Sequence, residues 1–407
     1  CLPVPTLSGC LPRLTFREFP MIPYGRQTIS QDDIDAVLAV LQSDFLTQGP
    51  QVPAFESSLK AYCGAAHAVA VNSATSALHL ACLALGLGAG DVLWTSPITF
   101  TASANCALYC GADVDFVDID PATLNMSVSA LEAKLQAARA SGGRLPKIVV
   151  PVHLCGEPCD MAAIGALAEE YGFAVIEDAS HAVGAFSGSL PVGACEHSDI
   201  TVFSFHPVKI ITTAEGGAAL TQRADLAEKM ALLRSHGITR DPAAMTHEAD
   251  GGWYYQQIDL GYNYRMTELQ AALGVSQMRR LDEFVARRHE LAERYDRLLA
   301  PLPLILPPRN PANRSALHLY PVQIRADSGK SRRDVFDYLR RHGIGVNVHY
   351  IPVHTQPYYR RRFGFQNGDF PAAEAYYQSA VSLPLYFGLS FDEQDKVVET
   401  LAAALAA

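Results

Sequence analysis

The strongest constraint in this sequence is an alternation. Apolar runs of strand length at 68–71, 92–95, 114–117, 147–152, 173–178 and 200–205 are separated by segments with helical spacing. Strands alternating with helices build a largely parallel sheet covered on both faces. Chemistry in such sheets gathers outside the carboxyl ends of the strands. The expected fold is therefore α/β, with a large, mostly parallel sheet domain and helices on both of its faces. A smaller C-terminal α/β domain follows.

With 407 residues, 49% of them hydrophobic, the chain is long enough for two domains. Its 32 basic and 42 acidic side chains leave a net charge of -10, and no basic run is interleaved with aromatics, which excludes nucleic acid as an expected partner. No stretch approaches the roughly 18 apolar residues of a membrane span. The nine cysteines are odd in number and scattered, which suits a reducing cytoplasm better than a disulfide framework. Cys155 and Cys159 form the one close pair of note, better read as two buried or partly buried thiols than as a zinc site. Residues 1–20 are Pro-rich and begin without methionine, so they read as an extension or alternative start. The expected division is 21–265 for the large domain and 266–407 for an interdomain helix with the small domain.

Ser30 is a good N-cap, and Ile34, Val37, Leu38 and Leu41 recur at helical spacing, so an amphipathic helix opens the large domain. After the first strand, Asn72 to Ser76 occupies a turn and a helix N-terminus. Free amides there, with the hydroxyls of Ser73, Thr75 and Ser76, suit a phosphate. Ser and Thr also cap helices that bind nothing. Asp178 falls at the carboxyl end of a buried strand, either as a cap for the next turn or as a functional charge.

The run at 200–205 ends before Pro207, which sets Lys209 on the turn just beyond. Unlike arginine, a buried lysine can become a neutral nucleophile and hold a carbonyl cofactor as a Schiff base. A solvated surface lysine is the default for one lysine among many. What distinguishes Lys209 is its company. Pyridoxal 5'-phosphate needs an amine, a phosphate cradle and a carboxylate for its ring nitrogen. Lys209, the Ser73 turn with Ser204, and Asp178 supply these. Phe100, just after a strand, is the candidate to cover the ring, although an ordinary core phenylalanine fits its position equally.

These residues lie in motifs that resemble the DegT/DnrJ/EryC1/StrS sugar aminotransferases, which are fold type I pyridoxal-phosphate enzymes. The motifs are Asn72-Ser-Ala-Thr-Ser-Ala-Leu78, Glu177-Asp-Ala-Ser-His181, Phe203-Ser-Phe-His-Pro-Val-Lys209 with Glu215-Gly-Gly217, and Gly261-Tyr-Asn-Tyr-Arg-Met266. The resemblance implies that Lys209 carries the cofactor and then moves protons, that Asp178 pairs with the pyridine nitrogen, and that Phe100 stacks on the ring. It implies that His181, where many members carry glutamine, faces the cofactor's 3-hydroxyl. Ala74, Thr75 and Ser204 would hold the phosphate, with Asn263 reaching over from a second subunit of a homodimer. Ala74 stands where many members have glycine. Within the family, Ser204-Phe-His-Pro-Val-Lys209 and His349-Tyr-Ile-Pro-Val-His-Thr-Gln-Pro-Tyr-Tyr359 are most similar to the pseudaminic acid branch, which makes surface polysaccharide precursors. That implies a UDP-linked 4-keto-6-deoxy N-acetylhexosamine as acceptor and L-glutamate as donor. A fold type I lyase, a ketosugar dehydratase and a non-catalytic cofactor-binding sensor remain alternatives. The dehydratase carries histidine where this chain has Lys209.

In the last third, a helical pattern over 267–299, broken at most once, leads through a linker at 301–311 to a strand at 317–324. A capping box from Ser331 to Asp334 begins a helix that Gly343 ends, 344–350 reads as another strand, and Ser390 with Glu393 caps the final helix. His318, Tyr320, His349, Tyr350 and His354 gather around these strands, where packing or sugar contacts are favoured over metal. His349, Tyr350 and Arg240 are the substrate candidates, and an exposed arginine is the alternative for Arg240.

Overall fold

A computed structural model describes residues 21–406, so the expected extension at 1–20 lies outside the described residues. Seven strands form the large sheet: β1 (His67–Val71), β2 (Val92–Thr95), β3 (Asp113–Phe116), β4 (Ile148–Val150), β5 (Ala174–Asp178), β6 (Ile200–Ser204) and β7 (Gly217–Thr221). Their spatial order is β1-β7-β6-β5-β4-β2-β3. Strand β7 runs antiparallel to β1 and β6, and the remaining neighbours pair in parallel. The sequence did not point to β7, because Gly217-Ala218-Ala219 lacks the β-branched and aromatic residues that mark its neighbours. It is nevertheless buried along its whole length, wedged between two other strands.

Helices cover both faces, as β strands with no polar alternation require. On one face Leu78, Ala81 and Met230 of helices Ala74–Ala84 and Ala224–Arg234 pack with Val202 and Ala219. On the other, Phe55, Leu59, Phe203 and Phe205 pack together, with the Phe55 and Phe205 rings edge to face at 5.0 Å.

Helix Gln31–Leu41 forms as expected from its Ser30 cap, but its apolar stripe does not face the core. Ile34, Leu38 and Leu41 are 51%, 47% and 56% exposed, while Asp33 and Val40 are buried. The cause is Asp33. Its carboxylate completes a capping box with Ser30 and accepts a hydrogen bond from Gln277 Nε2 at 2.7 Å, which fixes the polar edge of the helix against helix Glu268–Met278. The long helical pattern does break once, giving Glu268–Met278 and Leu281–Leu299. The second of these joins two cores. Phe284 and Val285 pack beneath the large sheet, whereas Leu291, Tyr295 and Leu299 pack into the C-terminal core.

That second core lies on a three-stranded antiparallel sheet of β8 (Leu304–Ile305), β9 (Tyr320–Ile324) and β10 (Ala380–Leu383), with β9 in the middle. Helix Arg332–Arg341 starts at the Ser331 capping box, and Ser390 and Glu393 cap helix Phe391–Ala406 reciprocally. The strand expected over 344–350 does not form. Ile344 and Asn347 make single bridges to Ile22 and Ser382, and Val348 N donates to the Asn347 side chain instead of to a ladder. Gly345 lets the Ile22 backbone approach so closely that a Cβ there would meet Ile22 O at 2.8 Å. Ile22 itself packs into the C-terminal core, and Leu385 N donates to Tyr24 O, so the start of the stretch expected in the large unit lies against the small one. Among the described residues, no helix is long and apolar enough to cross a membrane.

Candidate active site

The carboxyl ends of β5 and β6 carry the two charges singled out above. Strand β6 ends at Ser204, Phe205 N still donates to Gly216 O, and the chain then turns so that Lys209 N donates to His206 O at 2.9 Å. Burial lowers the Lys209 amine to about 8, against the upward pull of the Asp178 carboxylate and Cys155. A substantial neutral fraction at pH near 8 is what a nucleophilic amine requires. The rate at which the apo-protein takes up an aldehyde cofactor should therefore rise with pH through a midpoint near 8 and level off above it. Stopped-flow absorbance across pH 6 to 10 reads this directly, and a midpoint at the ordinary lysine value of about 10.4 would contradict it.

Asp178 is the last residue of β5 and pairs in register with Val202 of β6, which sets its carboxylate on the same sheet edge as the lysine turn. It is 5% exposed. Its Oδ2 accepts a hydrogen bond from Ser103 Oγ at 2.5 Å, and its Oδ1 accepts one from Ser180 N at 3.1 Å. Ser103 has one proton, already given to Asp178, so Thr99 Oγ1 is the donor in the 2.7 Å contact between the two hydroxyls. Neither Ser103 nor Thr99 was singled out from the sequence. The available signal was their four-residue spacing across the turn from β2 into helix Ala102–Tyr109.

The Ser73 turn reaches this edge through β7. Ser204 pairs with Gly217, and a Cβ on Gly217 would sit 2.4 Å from Ala74 N and 2.5 Å from the Ser73 carbonyl carbon. Only glycine allows strand and helix start to approach so closely. Ser73 caps helix Ala74–Ala84 by accepting from Ser76 N, and Ala77 N donates to Ser73 O. Among the described residues the Ala74 and Thr75 amides have no such partner. Two free amides at a helix start, beside the buried Ser204 hydroxyl, fit a phosphate group. Asn263 is exposed nearby, with its carbonyl accepting from Asn72 Nδ2 at 3.4 Å.

A third group closes the pocket from the C-terminal unit. His181 Nδ1 accepts from Cys155 N at 3.2 Å, so the ring proton sits on Nε2 and is donated to Tyr350 Oη at 3.0 Å. Both ring nitrogens are thus occupied, and the Tyr350 hydroxyl, accepting from His181, keeps its own proton to donate. Burial first, and then the Lys209 charge, holds the His181 imidazole well below its ordinary range. Burial, then His181 and Lys209, likewise hold His318 well below its ordinary range; its ring is tilted against that of His181 at 4.5 Å between centroids, and among the described residues its buried Nδ1 has no partner. His349 is lowered to about 3 by burial and by Lys209, and its Nδ1 meets Ser382 Oγ at 2.8 Å. Phe100 is 60% exposed and its ring lies 6.3 Å from that of Tyr350. Arg240 is exposed, with its guanidinium 6.0 Å from the Tyr255 ring centroid, and among the described residues no hydrogen bond or ion pair joins it to this group. Cys155 was read only as a thiol. It takes φ of 60° and stands close enough to Lys209 to influence its charge.

The chain is similar to known proteins over nearly its whole length. The model of the DegT/DnrJ/EryC1/StrS aminotransferase family matches residues 27–402. The chain is 41% identical to the spore coat polysaccharide biosynthesis protein SpsC of Bacillus subtilis, over 93% of this chain and 96% of that protein. It is 37% identical to a UDP-4-amino-4,6-dideoxy-N-acetyl-beta-L-altrosamine transaminase of Campylobacter jejuni, over 95% and 98%. Among solved structures, Helicobacter pylori PseC, an aminotransferase of pseudaminic acid biosynthesis, superposes with a TM-score of 0.87 at 30% identity, covering 95% of this chain and 99% of that one. The sugar aminotransferase Spr1654 of Streptococcus pneumoniae, described as putative and solved in its PLP form, gives 0.84 at 28% identity, with 95% and 99% covered. With its free helix amides, buried carboxylate and low-lying lysine, this chain belongs to the DegT/DnrJ/EryC1/StrS aminotransferase family, and its cofactor is pyridoxal phosphate.

Proposed function

We propose that this sugar aminotransferase moves the amino group of L-glutamate to a UDP-linked 4-keto-6-deoxy N-acetylhexosamine in the cytoplasm, yielding a 4-amino sugar for a pseudaminic-acid-type pathway. The observation that carries the reading is the meeting of the Lys209 amine, the Ser103-held Asp178 carboxylate and the open Ala74 and Thr75 amides at one sheet edge. The named activities of the Campylobacter jejuni and Helicobacter pylori relatives support the choice of sugar.

Bound pyridoxal phosphate supplies an electron sink and a temporary seat for the amino group. Lys209 would hold the cofactor through its aldehyde carbon and, as a free amine, would carry the proton taken from the donor's Cα. In the second half the same amine would deliver a proton to C4 of the sugar. Asp178, its carboxylate aimed by Ser103 and Ser180, would accept the pyridine N–H and keep the ring protonated. The amides of Ala74 and Thr75 and the Ser204 hydroxyl would donate to the phosphate, and Asn263 would do so from a second copy. Phe100 would cover the ring, and His181, hydrogen bonded to Tyr350, would hold that hydroxyl beside His349. A homodimer also accounts for the uncovered apolar face of Ile34, Leu38 and Leu41, together with Trp253 at 73% and Leu260 at 72% exposure.

The test is an absorption spectrum of the cofactor-loaded protein. L-glutamate should collapse the visible band, and a UDP-4-keto-6-deoxy N-acetylhexosamine should restore it. A band that ignores glutamate overturns the donor assignment, and release of pyruvate without any sugar would establish a lyase instead.

A further inference from the structure

Residues 22–28 run as a strap from the C-terminal core to the lysine turn, and their backbone is fastened along the way. Ile22 N donates to Gly343 O at 2.9 Å, and Ile22 O accepts from Gly345 N at 2.7 Å. Tyr24 O accepts from Leu385 N at 3.1 Å, and Thr28 O accepts from Gln277 Nε2 at 3.0 Å. Pro23 fixes the φ angle between the first two of these ties. Gly25 lies against Val208, the residue before Lys209, with 3.8 Å between the Val208 Cβ and the place a Gly25 Cβ would take.

The Tyr24 ring packs on that of His349, with 5.4 Å between centroids. His349 in turn meets Tyr350 edge to face at 5.0 Å, and Tyr350 lies beside His181 and Phe100. Tyr24 thus adds a further ring to the wall that closes the pocket. The polar atoms of this wall are not equally available. His181 has both ring nitrogens engaged. His349 Nδ1 meets Ser382 Oγ at 2.8 Å, Asn347 Nδ2 stands 3.5 Å from its Nε2, and Tyr376 Oη donates to its carbonyl at 3.0 Å. His349 is therefore committed to its neighbours and forms a fixed backing for the Tyr24 ring. Tyr350 has accepted from His181 and keeps one proton. Tyr24 is partly buried, and its hydroxyl makes no hydrogen bond among the described residues. A phenol hydroxyl with donor and acceptor both unused, on a ring held by packing, is what a pocket offers a polar ligand group.

We propose that Tyr24 is a substrate-binding residue whose hydroxyl hydrogen bonds to an oxygen substituent on the hexose ring of the nucleotide sugar. This deepens the transamination reading above and rests on it. The rings beside Tyr24 are uncharged at neutral pH, since burial holds both His181 and His349 well below their ordinary range. Such a wall suits the neutral oxygens of a sugar better than the two carboxylates of glutamate, which call for charged donors. Because a fixed ring makes the contact, it discriminates among sugars and leaves the nucleotide and the amino donor untouched.

The experiment compares Tyr24→Phe with the parent as full-length, cofactor-loaded protein. Phenylalanine keeps the ring against His349 and removes only the hydroxyl, so the thermal melt should not move. KM for the UDP-4-keto-6-deoxy N-acetylhexosamine should rise about fivefold to tenfold, the loss of one neutral hydrogen bond. KM for L-glutamate, and the rate at which glutamate collapses the visible band, should keep their parent values. Calorimetric titration into cofactor-free protein gives a reading without turnover. There the same UDP-sugar should bind the variant more weakly by a similar factor, and UDP alone should bind both proteins equally. An unchanged KM for the sugar, an equal rise in KM for glutamate, or an equal loss of UDP binding each overturns the proposal. A parent protein that gives no amino group to the ketosugar overturns the transamination reading, and the ligand assigned to Tyr24 falls with it. A parent that turns over beside an unaltered variant overturns the assignment of Tyr24 alone.

Discussion

Lys209→Ala should lower kcat for amino transfer by about 10^4-fold or more, since in the proposed reaction it removes both the covalent anchor and the proton carrier. Cofactor should still enter, because the Ala74 and Thr75 amides, Ser204 and Asp178 are untouched. Its absorbance should then match free pyridoxal phosphate. Fold is not at risk, for the amine forms no hydrogen bond or ion pair among the described residues, and its burial already opposes its charge. Steady-state rates measured beside a circular dichroism melt separate the two effects. Turnover near the parent value in a folded variant would remove lysine from the mechanism.

The second large effect is expected at Asp178. In Asp178→Asn the side chain keeps its shape but loses its negative charge, so the pyridine nitrogen is no longer held protonated and kcat should fall by about 10^3-fold. Ser103→Ala removes one donor to the same carboxylate, a charge-assisted hydrogen bond worth about 1.5 kcal/mol or more. A loss of about tenfold in kcat is expected there, with KM for glutamate unchanged, because the serine acts through Asp178 and not on the substrate. If Ser103→Ala changed KM alone, its place behind Asp178 would be the wrong account of it.

Much of this was legible in the residues. The β-branched runs, the Pro207 stop and the Ser-rich helix start are local signals, since strand propensity, a fixed φ and a side-chain cap act within a few positions. They suffice to locate Lys209, Asp178 and the Ser73 turn on one parallel sheet. The Ser331 and Ser390 caps were equally local. Where no local signal existed, the reading failed. Strand β7 carries glycine and alanine because its neighbours leave no room for more, as the 2.4 Å approach at Gly217 shows. The segment 344–350 has strand-like residues but finds Ile22 and Ser382 only one bridge at a time.

By itself, then, the sequence determined most of the alternation of strands and helices and singled out Lys209, Asp178 and the Ser73 turn as candidates, because each of these signals depends on neighbours in the chain. Only the tertiary structure decided which groups serve them. Ser103 is 75 residues from Asp178 and Tyr350 is 169 from His181, yet each pair is hydrogen bonded. Tertiary packing also turned Ile34, Leu38 and Leu41 outward, because the buried bond from Gln277 to Asp33 fixes the orientation of that helix more firmly than its apolar stripe does. Contacts across such separations depend on how sheets and helices dock, and no pattern confined to one segment encodes them.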